Sequence, residues 1–163
     1  MSIVLALDVS SLSTGWCCFK HGRFYRREGT DYGVIKGNSR LNPAERLSIF
    51  RKEVSTLIYM TKPNLIGIED VFSGPNRKTF KVLSRFNGVA LEVSRTIGGI
   101  EPIVVPATEW RTLWGTQAKK EIFSRVVEKY KLNDLDFNKD NDITDAIGLA
   151  FYVHKIGVNK NEK

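Results

Sequence analysis

Four acids sit where an acid is expensive. Asp8 comes directly after the apolar run Ile3-Val4-Leu5-Ala6-Leu7, and Glu69 stands at the end of a second short apolar run that begins at Asn64. A carboxylate in such a place costs free energy unless it is paired or holds a cation. Asp142 and Asp145 are three residues apart, which places them on one helix face, and Leu149 continues that stripe inward. Asp145 falls where Ala146, Leu149, Ala150 and Val153 should face a core, a position that wants an apolar residue unless something cationic needs the charge. Asp142 has a plainer explanation available, because the helix dipole favours an acid in a first turn. If the strands ending at Asp8 and Glu69 are parallel neighbours, both side chains emerge at the carboxyl end of a sheet, where α/β proteins build their sites. Asp70 alternates to the opposite face and is left out.

Other chemistries find little to work with. His21 and His154 are the only histidines, there is no H-E-x-x-H and no Cys/His cluster, so an ordinary zinc site is excluded. The P-loop, dinucleotide-binding and G-x-S-x-G motifs are absent. One rival uses the same acids: Asp134, Asp136, Asn138, Asp140, Asp142 and Asp145 fit the ligand positions of a calcium loop. That loop has Lys139 where a sharp turn wants Gly and Asp145 where a longer Glu is expected, and it leaves Asp8 and Glu69 unexplained.

The surrounding charge fits work on a polyanion. The chain has 163 residues and a formal charge of +7. Arg77, Lys78, Lys81, Arg85 and Arg95 face only Glu92 in one segment; Arg111, Lys119, Lys120, Arg125, Lys129 and Lys131 dominate another. Between Asn133 and Asp145 the sign reverses, with five Asp and one Lys. An acidic cluster in a basic chain is the layout of an enzyme that grips phosphates with cations and acts on them through a carboxylate-held metal. The hydrophobic fraction of 42% is enough for one cored domain. No basic leader precedes Ile3, and no apolar run approaches the length of a membrane span, so a cytoplasmic, non-membrane protein is expected. Cys17 and Cys18 are adjacent in an apolar stretch, where a disulfide would be strained, and read as reduced core thiols.

The elements that must position the acids follow from periodicity. Ile3 to Asp8 is apolar on both faces, as a central strand should be. Gly15 to Lys20 is a second strand, His21-Gly22 a turn, and Arg23 to Arg27 with Tyr32 to Lys36 the return. Asn42-Pro43-Ala44-Glu45 opens a helix that stops before Pro63. Asn64 to Asp70 is a strand, Thr79 to Ile97 a helix, Pro102 to Val105 a strand, Thr108 to Trp114 and Gln117 to Tyr130 helices, and a last helix runs from about Asp142 to His154. The order implies an α/β fold with a mixed sheet and helices on its faces.

Leu5-Ala6-Leu7-Asp8 with Thr14-Gly15-Trp16, Ile68-Glu69-Asp70-Val71-Phe72 with Asn76 and Gly88 downstream, and Asp142-Ile143-Thr144-Asp145-Ala146-Ile147 through Ala150 come in a telling order. Together they resemble the RuvC family of Holliday junction resolvases, in the RNase H-like nuclease superfamily, over nearly the whole chain. Val9-Ser10 stand where that family has Pro-Gly, and Ser84 to Gly88 replace a Gly-Gln-containing segment, so a junction sequence preference does not carry over. The resemblance implies an RNase H-like mixed five-stranded sheet flanked by helices on both faces, a single domain over 1–157 and a polar tail over 158–163. It implies that Asp8, Glu69, Asp142 and Asp145 hold two Mg²⁺ ions, replaceable by Mn²⁺, as oxygen-only ligation favours. The reaction implied is phosphodiester hydrolysis leaving 5′-phosphate and 3′-hydroxyl ends, with Lys119 also catalytic and no nucleotide cofactor.

Phe72 would stack on an unpaired base. Arg111 and Lys120 match basic positions of the family near the scissile strand, and Arg77, Lys78, Lys81 and Arg85 would contact backbone phosphates. Four-way and other branched DNA is the implied substrate and a homodimer the implied assembly, with the helix Thr79 to Ile97 as either its interface or plain core. Expression in a prokaryotic cell or phage-infected host is expected. Charge alone would equally permit a non-cleaving junction-binding protein, and the metal chemistry a related RNA-directed nuclease. Half of an actin-like ATPase is a third reading, since Asp8 to Gly15 faintly resembles that superfamily's first phosphate loop, but those proteins need a duplicated domain, for which 163 residues have no room.

Overall fold

The computed structural model describes residues 2–24 and 31–161. Its first strand, β1 (Ile3–Asp8), pairs antiparallel with β2 (Ser13–Lys20) and parallel with β5 (Leu65–Glu69), which pairs parallel with β6 (Ile103–Val105). The free edge of β2 carries two short antiparallel strands, β3 (Arg23–Phe24) at one end and β4 (Tyr32–Lys36) at the other. Six strands thus fill five positions, as expected of a mixed five-stranded sheet. The expected strand over 23–27 is described only at its first two residues; residues 25–27 lie outside the described part. His21 and Gly22 both have positive φ, 51° and 72°, which makes the turn joining β2 to β3 a tight one.

Strand alternation divides the core into two layers. Leu5 and Leu7 of β1 and Ile66 and Ile68 of β5 pack with Phe50, Val54 and Ile58 of α1 (Pro43–Thr61) and Phe86, Ala90 and Val93 of α2 (Arg77–Thr96). Val4, Ala6, Cys17 and Phe19 pack on the other face against α5 (Phe137–Asn161), with Trp110 of α3 (Ala107–Thr112) and Ile122 and Val126 of α4 (Lys119–Tyr130) outside it. Cys17 and Cys18 are free and buried. α1 starts on the expected box: the Asn42 side chain accepts from the Glu45 N–H, and the Glu45 carboxylate accepts from the Asn42 N–H. The apolar stripe of α2, open between interface and core on sequence, is core through Phe86, Ala90 and Val93; Phe80 remains partly exposed.

The last helix is longer than its periodicity suggests. It starts at Phe137, five residues before Asp142, because Asp136 accepts from the Asn138 N–H (3.0 Å) while the Asp140 carboxylate accepts from the Asp136 N–H (2.8 Å). The helix also continues through Asn161, into the stretch expected as a tail. Residues 137–145 are therefore helical and cannot wrap an ion, which removes the calcium-loop reading. Asp142 also lies beyond the first turn, so the helix dipole no longer accounts for it. Among the described residues no helix is long and apolar enough to cross a membrane.

Candidate active site

The parallel ladder decides which acids meet. With Leu7 and Ile68 turned toward α1 and α2, the next residue on each strand, Asp8 and Glu69, turns toward α5. Leu7 pairs with Ile68, so one further step along both strands brings Asp8 level with Glu69. On the antiparallel side Asp8 pairs with Gly15. A Cβ on Gly15 would come within 1.9 Å of the Asp142 carbonyl oxygen; the bare glycine lets α5 rest on the sheet here and sets Asp142 and Asp145 beside Asp8. Asp145 is 1% exposed, while Asp8, Glu69 and Asp142 are half-buried. Asp70, set aside on strand alternation, is exposed.

Two cations answer this charge. Lys119, at the start of α4, places Nζ 3.1 Å from Asp145 Oδ2 and 3.8 Å from Asp142 Oδ1. Arg111 of α3 places Nη2 3.4 Å from the same Asp145 oxygen, its guanidinium 5.2 Å from the centre of the Trp110 ring. The Trp110 indole Nε1 donates to Glu69 Oε2 at 2.8 Å, and Asn87 Nδ2 donates to the Glu69 main-chain oxygen at 3.0 Å.

Burial, then the Glu69 and Asp145 carboxylates, push Asp8 well above the usual carboxylate range, with Lys119 pulling back and Asp142 adding to the rise. Burial likewise raises Glu69, against the Trp110 hydrogen bond, and raises Asp145, against Lys119 and Arg111. Burial alone would lower Lys119, but Asp145 and Asp8 outweigh it and hold the ammonium charged.

This donor set suits a hard divalent cation: every candidate ligand is a carboxylate, and Asp145 Oδ1 is buried without a hydrogen-bond partner. No three His, Cys, Asp or Glu side chains among the described residues stand as a ready-made ion-holding group, and the present positions of the acids are set by Lys119, Arg111 and Trp110.

Phe72, three residues past Glu69, is 82% exposed and separates two open depressions of about 370 and 470 Å³, each lined by Glu69, Asp70, Val71 and Phe72. Asn76, Thr79 and Phe80 at the start of α2 complete the first, and Pro106, Thr108 and Arg111 the second. Arg77, Lys78, Lys81 and Arg85 are all exposed on α2, with Arg77, Lys81 and Arg85 in one stripe at a spacing of four. Lys120 is exposed on the first turn of α4. Arg111 lines the second depression and turns its guanidinium in at Asp145, with its side chain 18% exposed. Trp110 is not legible from sequence as a site residue, since a tryptophan in a short helix reads as core; only the packing of α3 on α5 reveals its polar end.

A mixed sheet with helices on both faces and acids at the carboxyl ends of its central strands is the architecture of the RNase H-like nucleases. The family model of crossover junction endodeoxyribonuclease RuvC matches residues 4–154, and the chain belongs to this family. It is 28% identical over 156 residues to the RuvC of Chlorobium phaeovibrioides, covering 91% of this chain and 78% of that protein, and 25% identical over 161 residues to that of Dictyoglomus turgidum, covering 94% and 97%. Among solved structures, Thermus thermophilus RuvC in complex with a Holliday junction substrate superposes with a TM-score of 0.78 at 14% identity, over 93% of this chain and 92% of that one. The yeast mitochondrial Holliday junction resolvase superposes with a TM-score of 0.69 at 11% identity, covering 99% and 81%.

Proposed function

We propose that this protein is a metal-dependent endonuclease that resolves four-way DNA junctions, with Asp8, Glu69, Asp142 and Asp145 as ligands of two Mg²⁺ or Mn²⁺ ions. The observation that carries the reading is the meeting of acids from β1, β5 and α5 at one end of the sheet, in a chain of the crossover junction endodeoxyribonuclease family. When bound, such ions lower the pKa of an attacking water and stabilise the departing 3′ oxygen, leaving 5′-phosphate and 3′-hydroxyl ends.

The protein's own groups do the rest. Asp145, enclosed and carrying one unpartnered oxygen, is the ligand least free to move. Lys119 stands at the rim with 42% of its side chain exposed, within reach of both the acids and an incoming phosphate. Arg111 balances the charge of Asp145 from the side of α3. Phe72 presents a bare ring beside Glu69, suited to stacking on a base unpaired at the junction centre. The exposed α2 stripe supplies phosphate contacts that fix register without reading sequence. A homodimer would set two such sites on two strands of a near two-fold junction. The test is cleavage of a synthetic four-way junction with and without Mg²⁺, mapped at nucleotide resolution: paired incisions that need the metal support the reading, and tight binding without incision refutes it.

A further inference from the structure

Glu69 is held by a donor that charge balance does not call for. Trp110 is fully buried, and its indole N–H, which can only donate, is spent on Glu69 Oε2 at 2.8 Å. The ring is fixed against α5, where a methyl on Gly148 would come within 2.6 Å of it. One turn on, Trp114 Nε1 donates to the Gly148 carbonyl at 3.2 Å, and Arg125 of α4 donates to the Trp114 carbonyl. α3 is thereby pinned to α5 through one glycine. From that anchorage its successive residues reach two acids on different elements, Trp110 to Glu69 on β5 and Arg111 to Asp145 on α5.

We infer that Trp110 is a positioning residue: its hydrogen bond takes one lone pair of Oε2 and fixes the carboxylate plane, which disfavours two-oxygen ligation by Glu69 and so favours Mg²⁺ over Ca²⁺. The chemistry is general. Mg²⁺ demands near-octahedral, one-oxygen carboxylate ligation, whereas Ca²⁺ readily takes both oxygens of one carboxylate. A donor that competes for the second oxygen and fixes the orientation of the carboxylate disfavours the two-oxygen mode that suits the larger ion, and partners of this kind change metal affinity by roughly 10–100-fold when removed. The inference rests on Glu69 being a ligand.

The test compares wild type with Trp110→Phe, which keeps an aromatic ring and removes the donor. Mg²⁺ and Ca²⁺ binding is measured calorimetrically on the full chain without DNA. Trp110→Phe is expected to lose about tenfold in Mg²⁺ affinity while Ca²⁺ affinity holds or rises. Equal weakening of both ions indicates a packing role and overturns the inference, as does no change in either. Glu69→Gln leaves the indole in place and guards against a folding artefact. The Trp110 indole N–H resonance, assigned by its loss in Trp110→Phe, should move upfield in Glu69→Gln and respond to Mg²⁺ in wild type; a resonance unmoved by both changes refutes the inference. Undiminished Mg²⁺ affinity in Glu69→Gln would instead remove Glu69 from the ligand set, a separate failure that strikes the proposed site itself.

Discussion

Replacing Asp8 by Asn should stabilise the metal-free protein while abolishing cleavage. In the fold Asp8 is half-buried and faces Glu69, Asp145 and Asp142, so its carboxyl is raised well above the usual range by burial first and like charge second. An unfolded Asp titrates near about 3.9. From there up to the raised native value the folded protein binds more protons than the unfolded chain, and stability falls as pH climbs through that window. The loss grows across that window and is complete only above the raised native value. Two like charges about 6 Å apart at an effective dielectric of about 20 repel by roughly 3 kcal/mol. Lys119 offsets part of this, leaving on the order of 1–2 kcal/mol for Asn to recover, or roughly 3–6 °C in Tm for a domain of this size. Thermal unfolding in chelator at pH 7.5 and again near pH 4 measures it: the advantage of Asp8→Asn should shrink at the lower pH, where wild-type Asp8 already carries its proton. Saturating Mg²⁺ should reverse the order, because ligand at 100 times Kd adds about 2.7 kcal/mol to the protein that binds it. A variant that is destabilised equally at both pH values, or that gains as much from Mg²⁺ as wild type does, would show that Asp8 is no part of a repelling, ion-holding cluster.

Asp145→Asn should abolish cleavage of a four-way junction yet leave binding in a gel-shift assay within a few-fold; retained incision removes Asp145 from the site. Phe72→Ala should cost about 1–3 kcal/mol in junction affinity, the worth of one stacked base, with little loss on plain duplex. Combining Lys81→Gln with Arg85→Gln should flatten the salt dependence of junction binding by roughly one unit of log–log slope for each phosphate no longer neutralised, without altering the cleavage pattern. Gly15→Ala should displace α5 from the sheet, since its Cβ would meet the Asp142 carbonyl at 1.9 Å, and a fall in both Tm and turnover is expected. An alanine variant with wild-type stability and activity would show that this close approach does not set the site.

What the sequence reveals of this molecule follows the range of the interactions involved. Asp8 and Glu69 are readable as strand-end acids because strand alternation and an acid after an apolar run are local signals, whereas the parallel pairing of β1 with β5 that sets them level enters the sequence reading only as a condition. The start of α5 is hidden for the opposite reason. Asp and Asn bond to nearby backbone and so read as loop, yet here Asp136 and Asp140 spend those same bonds on capping the helix. The consequence is functional, since the five added residues carry Asp142 past the first turn, where only the sheet-facing cluster explains it. Arg111 and Trp110 lie beyond any local signal: their direction depends on α3 meeting α5 at Gly148.

One helix ties these features together. α5 lies over β1, β2 and β5, supplies Ile147, Leu149, Ala150 and Val153 to the inner layer, and carries Asp142 and Asp145 on the turns just before them. The packing that excludes water from the core therefore also sets the spacing of the acids. Geometry of this kind cannot relax independently of folding, which is how like charges are kept close enough to share a cation: burial of the apolar turns offsets the repulsion that would otherwise drive the acidic turns off the sheet.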